Sequence, residues 1–114
     1  MIAGEFEYFA PPALADALRL LQAHGDGCKV LAGGMTLVPV MTLGLAQPRA
    51  IVSLNHLKGL DGVEDVGQAL RIGAMTRHAT LGKHPLVLQH APLLAAAARG
   101  IGDVQVRHRG TLGG

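Results

Sequence analysis

Glycine pairs with a hydroxyl close by occur twice in this chain: Gly33-Gly34 near Thr36, and Gly113-Gly114 near Thr111. A glycine has no Cβ to hold a ligand off the backbone and reaches φ > 0, so successive N–H groups can converge on an anion. The first loop, Leu31-Ala32-Gly33-Gly34-Met35-Thr36, follows the apolar Val30-Leu31. A helix starting behind it would add the positive end of its dipole. A plain strand-to-helix turn accounts for the same residues, and the loop alone leaves both readings open. The chain has neither the Gly-x-Gly-x-x-Gly nor the Gly-Lys-Ser/Thr pattern, which disfavours a Rossmann or P-loop assignment. The second loop, Arg109-Gly110-Thr111-Leu112-Gly113-Gly114, has Arg107 and Arg109 ahead of it as phosphate partners or solvated charges. Two such loops, far apart in sequence, are consistent with two walls of one nucleotide or dinucleotide site. Gly114 is the last residue, and a domain rarely ends on its own ligand loop, so a truncated chain is expected.

Other reactive side chains do not assemble into a catalytic centre, and none is assigned a catalytic role. The six histidines, at 24, 56, 78, 84, 90 and 108, lack metal-ligand spacing, so surface or helix-capping roles are expected. Asp61 and Asp103 are isolated and read as cap or turn residues. Cys28 is the single cysteine, which excludes an internal disulfide, a Cys₄ zinc site or a chain-borne iron–sulfur cluster. Lys29 beside it would lower the thiol pKa, but burial at a strand edge is the expectation. No metal site is expected.

The net charge is only +2, although Arg99, Arg107, His108 and Arg109 gather late against Asp103. No aromatics interleave with them, which argues against a nucleic-acid partner. No apolar run approaches the ~20 residues of a membrane span. Glu5 and Glu7 stand where a signal peptide would carry a basic region, and a cytoplasmic protein is expected.

Stepwise periodicity places the elements that must position the two loops. Glu5 to Phe9 reads as a strand, ended by Pro11-Pro12. Ala13 to Ala23 reads as a helix with Leu14, Leu18 and Leu21 as its apolar stripe, ended by Gly25 and Gly27. Lys29 to Ala32 completes a βαβ unit. Thr36 is expected to N-cap a helix over 37–43, and 50–54 forms a third strand. Val63 to Val66 and Ala69 to Ala74 pair as an antiparallel hairpin around Gly67-Gln68. Helices are expected over 76–83 and 85–99, with Leu86, Leu93, Leu94 and the alanines of 95–98 as a packing surface. Residues 105–114 read as loop or strand. The fold class is α+β: a small α/β subdomain over 1–57, then over 58–114 the first part of a second subdomain with antiparallel strands.

The two loops with their surroundings resemble the FAD-binding (medium) subunit of the molybdenum hydroxylases, the xanthine dehydrogenase family, and its aerobic carbon monoxide dehydrogenase variety in particular. Phe6-Glu7-Tyr8, Ala13 to Leu18, Val30 to Gly34, Ile51-Val52, Leu70 to Ala74 and Val106 to Gly114 carry the resemblance, the last string most specifically. It implies a PCMH-type (vanillyl-alcohol-oxidase-type) FAD-binding fold with FAD lying between its two subdomains. By position it implies that Val30, Leu31, Ala32, Gly33, Gly34, Met35, Thr36 and Leu37 wrap the FAD pyrophosphate. Thr111, Leu112, Gly113 and Gly114 would make a second contact, with Ile101 near the cofactor. Three positions depart from the pattern. Met35 replaces a common glutamine or histidine, Thr36 a common serine, and Gly44 a frequent arginine. Relatives also continue past Gly114.

The implied function is electron transfer: electrons from iron–sulfur clusters of a partner pass through FAD to a final acceptor. The partners implied are a molybdenum-binding large subunit and a [2Fe-2S] small subunit in a dimer of heterotrimers, holding the molybdopterin and the clusters. Any membrane association would run through those partners at the inner face, and the 114-residue chain alone is expected to be inactive. Two alternatives stay open: a single-chain flavoenzyme of the same fold, of the cell-wall precursor reductase type, and a non-catalytic nucleotide-binding module.

Overall fold

A computed structural model describes residues 5–114. The signal-peptide reading rests partly on residues 1–4, which lie outside the described residues. Among the described residues, no helix is long and apolar enough to cross a membrane. The chain divides into two compact units, one ending at Lys58 and one spanning Gly59–Gly114.

The first unit is built on a three-stranded parallel sheet. Its strands are β1 (Glu7–Phe9), β2 (Cys28–Leu31) and β3 (Ala50–Ser53), in the order β1-β3-β2. β3 is the last in sequence but the centre of the sheet. Tyr8 and Lys29 both pair with Ile51, and Phe9 and Val30 with Val52. The βαβ unit expected from the sequence is therefore present as parallel strands, with β3 inserted between them. All four residues of β3 are buried, as a strand paired on both edges and covered by a helix requires.

The covering helix is α1 (Leu14–His24). Its buried side corrects the expected stripe: Ala17 is buried and Leu20 and Leu21 pack on the core of Cys28, Ala50 and Val52, whereas Leu14 and Leu18 are 49% and 58% exposed. Leucines at 14, 18 and 21 and residues at 17, 20, 21 and 24 satisfy the same helical period. The small Ala17 settles the choice, because it lets the helix backbone approach the sheet. Gly25, at φ +60, ends α1 with its N–H on the Leu21 carbonyl, and a 3-10 turn over Gly25–Gly27 leads into β2. The helix α2 (Leu37–Thr42) follows the first glycine loop. Gly44, at φ +75, donates to the Met41 carbonyl and closes its end, a conformation an arginine would adopt only with strain.

The second unit opens with the expected hairpin. Strands β4 (Val63–Asp65) and β5 (Leu70–Ile72) pair antiparallel, Val63 with Ile72, and Arg71 reaches Glu64 across them at 2.9 Å. Four short helices follow: α3 (His78–Leu81), α4 (Pro85–His90), α5 (Pro92–Arg99) and α6 (Val104–Arg109). Leu81, Val87, Ala95 and Ala98 form their core, with Val63, Leu70, Ile72 and Leu94 against it. Leu93, expected to pack, is 82% exposed.

Two expectations are corrected here. The helix expected from Thr76 starts only at His78. The Thr76 hydroxyl is engaged with the Gly62 backbone, and Arg77 pairs with Thr111 in an extended bridge. Of residues 105–114, expected as loop or strand, those up to 109 are helical, in a helix that begins at Val104. The Asp103 carboxylate accepts from the Val106 N–H at 2.9 Å, and Arg107, His108 and Arg109 fill the last turn, where the helix dipole favours cations.

The corrected face of α1 makes a direct test. Leu18→Ala should change stability by no more than about 0.5 kcal/mol. Leu21→Ala should cost about 1–2 kcal/mol through lost burial. Urea unfolding followed by circular dichroism distinguishes the two, and equal effects would return Leu18 to the core.

Candidate functional site

The first glycine loop leaves the sheet at the C-terminal end of β2, where parallel α/β sheets place ligand loops. Val30 is exposed, Leu31 half-buried and Ala32 buried, and the chain then returns to the surface, with Gly33 to Met35 half-buried and Thr36 exposed. Gly34 sits at φ +79, a conformation that favours glycine, and a Cβ there would lie 3.3 Å from Val38 and 3.4 Å from Leu31. The carbonyls of Gly34 and Thr36 are taken by the N–H groups of Val38 and Val40. The N–H groups of Gly33, Gly34, Met35, Thr36 and Leu37, by contrast, have no hydrogen-bond partner among the described residues. Such a run of half-exposed donors, left over where a helix begins, suits an anion.

Thr36 does not act as expected. Its backbone is αR (φ −109, ψ −50), not extended, and its exposed hydroxyl makes no capping bond. The hydroxyl is thus left over together with the N–H groups. With only six residues, α2 adds little dipole, and the loop's own amides carry the positive potential.

The second loop is built differently. Gly110 ends α6, its N–H on the Val106 carbonyl at 2.7 Å. The next residues then dock along the segment before α3: His78 donates to the Gly110 carbonyl, Leu112 to that of Thr76 and Gly113 to that of Ala74. Two of the amides expected to face a ligand are therefore spent inside the chain. Gly113 is a packing requirement, because a Cβ there would fall 2.7 Å from the Ala74 Cβ. What this loop keeps for a ligand is the exposed Leu112 and Gly114, and the Thr111 hydroxyl. Thr111 is 6% exposed and its Oγ1 has no partner among the described residues. An orphaned buried hydroxyl is costly unless something completes it. Ile101 is 38% exposed, and its carbonyl accepts from Arg107. Arg107 thus clamps its own loop, and Arg109 lies exposed at the end of α6.

The family whose description is "FAD binding domain in molybdopterin dehydrogenase" matches residues 4–114. The chain belongs to this FAD-binding family. It is 45% identical over 107 residues to the nicotine 6-hydroxylase medium subunit of Paenarthrobacter nicotinovorans, covering 94% of this chain and 38% of that one. It is 45% identical over 114 residues to the carbon monoxide dehydrogenase medium chain of Hydrogenophaga pseudoflava, covering all of this chain and 40% of that one. The solved carbon monoxide dehydrogenase of that bacterium superposes with a TM-score of 0.96. Quinoline 2-oxidoreductase from Pseudomonas putida 86 gives 0.92 at 30% identity, over 99% of this chain and 39% of that one. The chain thus spans about 40% of the length of the relatives it matches. The mixed α+β architecture expected from the sequence is the one these structures share.

The residues present fit FAD. Unpaired amides from Gly33 to Leu37 suit a pyrophosphate, and the orphaned Thr111 hydroxyl is a further polar group without an internal use. Among the other residues considered, His84 caps α4 by accepting from the Leu86 N–H, and His108 meets the Val104 carbonyl at 2.8 Å. His78 differs, with a buried Nδ1 that has no partner among the described residues. No sequence pattern marks it; Gly110 lies against the Cδ2–Nε2 side of its ring.

Cys28 is buried at the start of β2, and that burial pushes its thiol pKa up; Lys29 does not offset it. A thiol with a raised folded-state pKa stabilises the protein fully below its unfolded pKa, and this contribution is lost as pH rises through the folded value. Between pH 7 and 9, reaction with Ellman's reagent should be at least about tenfold slower in the native chain than in urea. Equal rates would show the thiol to be open.

Proposed function

We propose that the chain is the FAD-holding part of the medium subunit of a molybdenum hydroxylase, of the carbon monoxide dehydrogenase or xanthine dehydrogenase type. The observation that carries the proposal is the set of unpaired amides from Gly33 to Leu37, supported by the family match over residues 4–114. In this reading Val30 to Leu37 hold the FAD pyrophosphate through backbone N–H groups, with Ala32 and Gly34 letting the chain come close. The side chain of Met35 contributes no polar contact, so its replacement of glutamine or histidine is tolerated. Thr111, Leu112, Gly113 and Gly114 give a second contact. It is made through the Thr111 hydroxyl and the shape of the loop, because the Leu112 and Gly113 amides are committed. Ile101 offers an apolar surface.

FAD, when bound, supplies the conversion between one-electron and two-electron transfer. The chain's own task is to bind, orient and shield it, which asks for no nucleophile and no acid–base pair. We propose that electrons come from [2Fe-2S] clusters of a small subunit, that a large subunit carries the molybdopterin, and that the three assemble as a dimer of heterotrimers. The relatives named above support this reading, as medium subunits of dehydrogenases and hydroxylases. A cytoplasmic location, with any membrane contact made through the partners, belongs to the same proposal.

Gly34→Val is the test. A β-branched residue at φ +79 is strained, and its side chain would crowd Val38 and Leu31, so that the loop carrying the amides must shift. The assembled complex carrying Gly34→Val should lose its flavin absorbance, while its iron–sulfur and molybdenum contents stay at wild-type levels. Full flavin content in the variant would remove this loop from the site. A flavin-loaded wild-type complex whose flavin is not reduced by substrate through its partners would instead favour a non-catalytic nucleotide-binding module.

A further inference from the structure

Charge is unevenly spread over the second unit. The acidic Asp61, Glu64 and Asp65 lie on or beside the hairpin, whereas Arg77, Lys83, Arg99, Arg107 and Arg109 lie from residue 77 onward, with Asp103 alone against them. Three of these cations, Lys83, Arg99 and Arg107, line one cleft of about 220 Å³ together with His78 and His108. No carboxylate lines it, and among the described residues none of the three cations has a carboxylate oxygen within 4.0 Å. Asp103, the nearest acid in sequence, is committed to the Val106 N–H.

The guanidinium groups are held in place by the backbone. Arg99 Nη1 donates to the Gly82 carbonyl at 2.7 Å, and Arg107 Nη1 to the carbonyls of Ile101 and Gly102 at 3.2 and 3.1 Å. Each bond occupies one nitrogen, and the Nε and Nη2 groups of both arginines have no partner among the described residues. Oriented forks with unused donors match the oxygens of a phosphate, and the Lys83 ammonium adds a mobile third charge. Gathering three positive charges in one cleft without a counter-charge is unfavourable, and an anion reverses that cost. The cleft is too small for a peptide segment and large enough for a compact tetrahedral oxyanion.

We propose that the cleft between α3, α5 and α6 is a phosphate-binding site, taking inorganic phosphate or the terminal phosphate of a small ligand. Its residues include none of those proposed to hold FAD. The test is a calorimetric titration of the purified chain with sodium phosphate and, separately, with glycerol phosphate, each against sodium chloride at matched ionic strength. The readout is the Lys83-dependent step, because Gly33 to Leu37 forms an anion site of its own. Lys83→Gln and Arg107→Gln should each weaken that step about tenfold, whereas Arg71→Gln on the hairpin should leave it unchanged. Circular dichroism of Lys83→Gln, whose side chain makes no hydrogen bond among the described residues, controls for folding. Saturation by phosphate alone identifies free phosphate as the ligand, and saturation by both identifies a phosphoryl group. Wild-type binding in Lys83→Gln, binding no tighter than chloride, or saturation by an oligoglutamate peptide but not by phosphate would overturn the proposal.

Discussion

Buried backbone must be paired, and in this chain the pairing determines what is left for a ligand. β3 has partners on both edges and no exposed residue, so the first unit closes around it. β2 pairs on one side only, and its last carbonyl is taken by the Leu54 N–H. Beyond Leu31 no strand remains for the chain to follow. It runs on with five consecutive amides, 33 to 37, unpaired among the described residues, the last of them the first of α2. The donors of the first loop therefore arise from the sheet order itself, and glycine is needed chiefly at 34, where φ is positive.

The second loop follows the opposite logic. Its amides at 112 and 113 are consumed by residues 76 and 74, and Gly113 has no side chain because Ala74 fills the space. Similar Gly-Gly sequences thus serve two physical ends, donor exposure at 33–34 and close packing at 113. A substitution at Gly113 would act through its packing on Ala74, and one at Gly34 through the positive φ of the loop.

The sequence made the alternation of strands and helices readable, since β-branched Ile51-Val52, the proline starts at 85 and 92 and the turn at Gly67 each act locally. The hairpin register follows from its short turn. Choices that depend on a partner from elsewhere in the chain were not readable. Leu18 and Leu21 lie on one helical period, and only Ala17 packing on Val52 selects the buried face. Thr36 has a good capping side chain in the wrong backbone conformation. The helix after Asp103 was legible in principle. An aspartate followed by an apolar–basic segment with its cations in the last turn is a start-and-stop signal, hidden here by the flanking glycines.

The same distinction explains how the site residues divide. Of Gly33 and Gly34, the second is demanded by a positive φ, which is written locally. The unpaired state of their amides is not local, because it depends on β3 taking the centre of the sheet and β2 its edge. Thr111 shows this from the other side. Its hydroxyl is orphaned because Arg77, thirty-four positions earlier, pairs with it as a strand neighbour and buries it. A motif can thus mark where a cofactor loop lies. Which atoms of the loop are free to hold the cofactor is decided by the rest of the fold, and in this chain they are mostly backbone atoms that no side-chain pattern records.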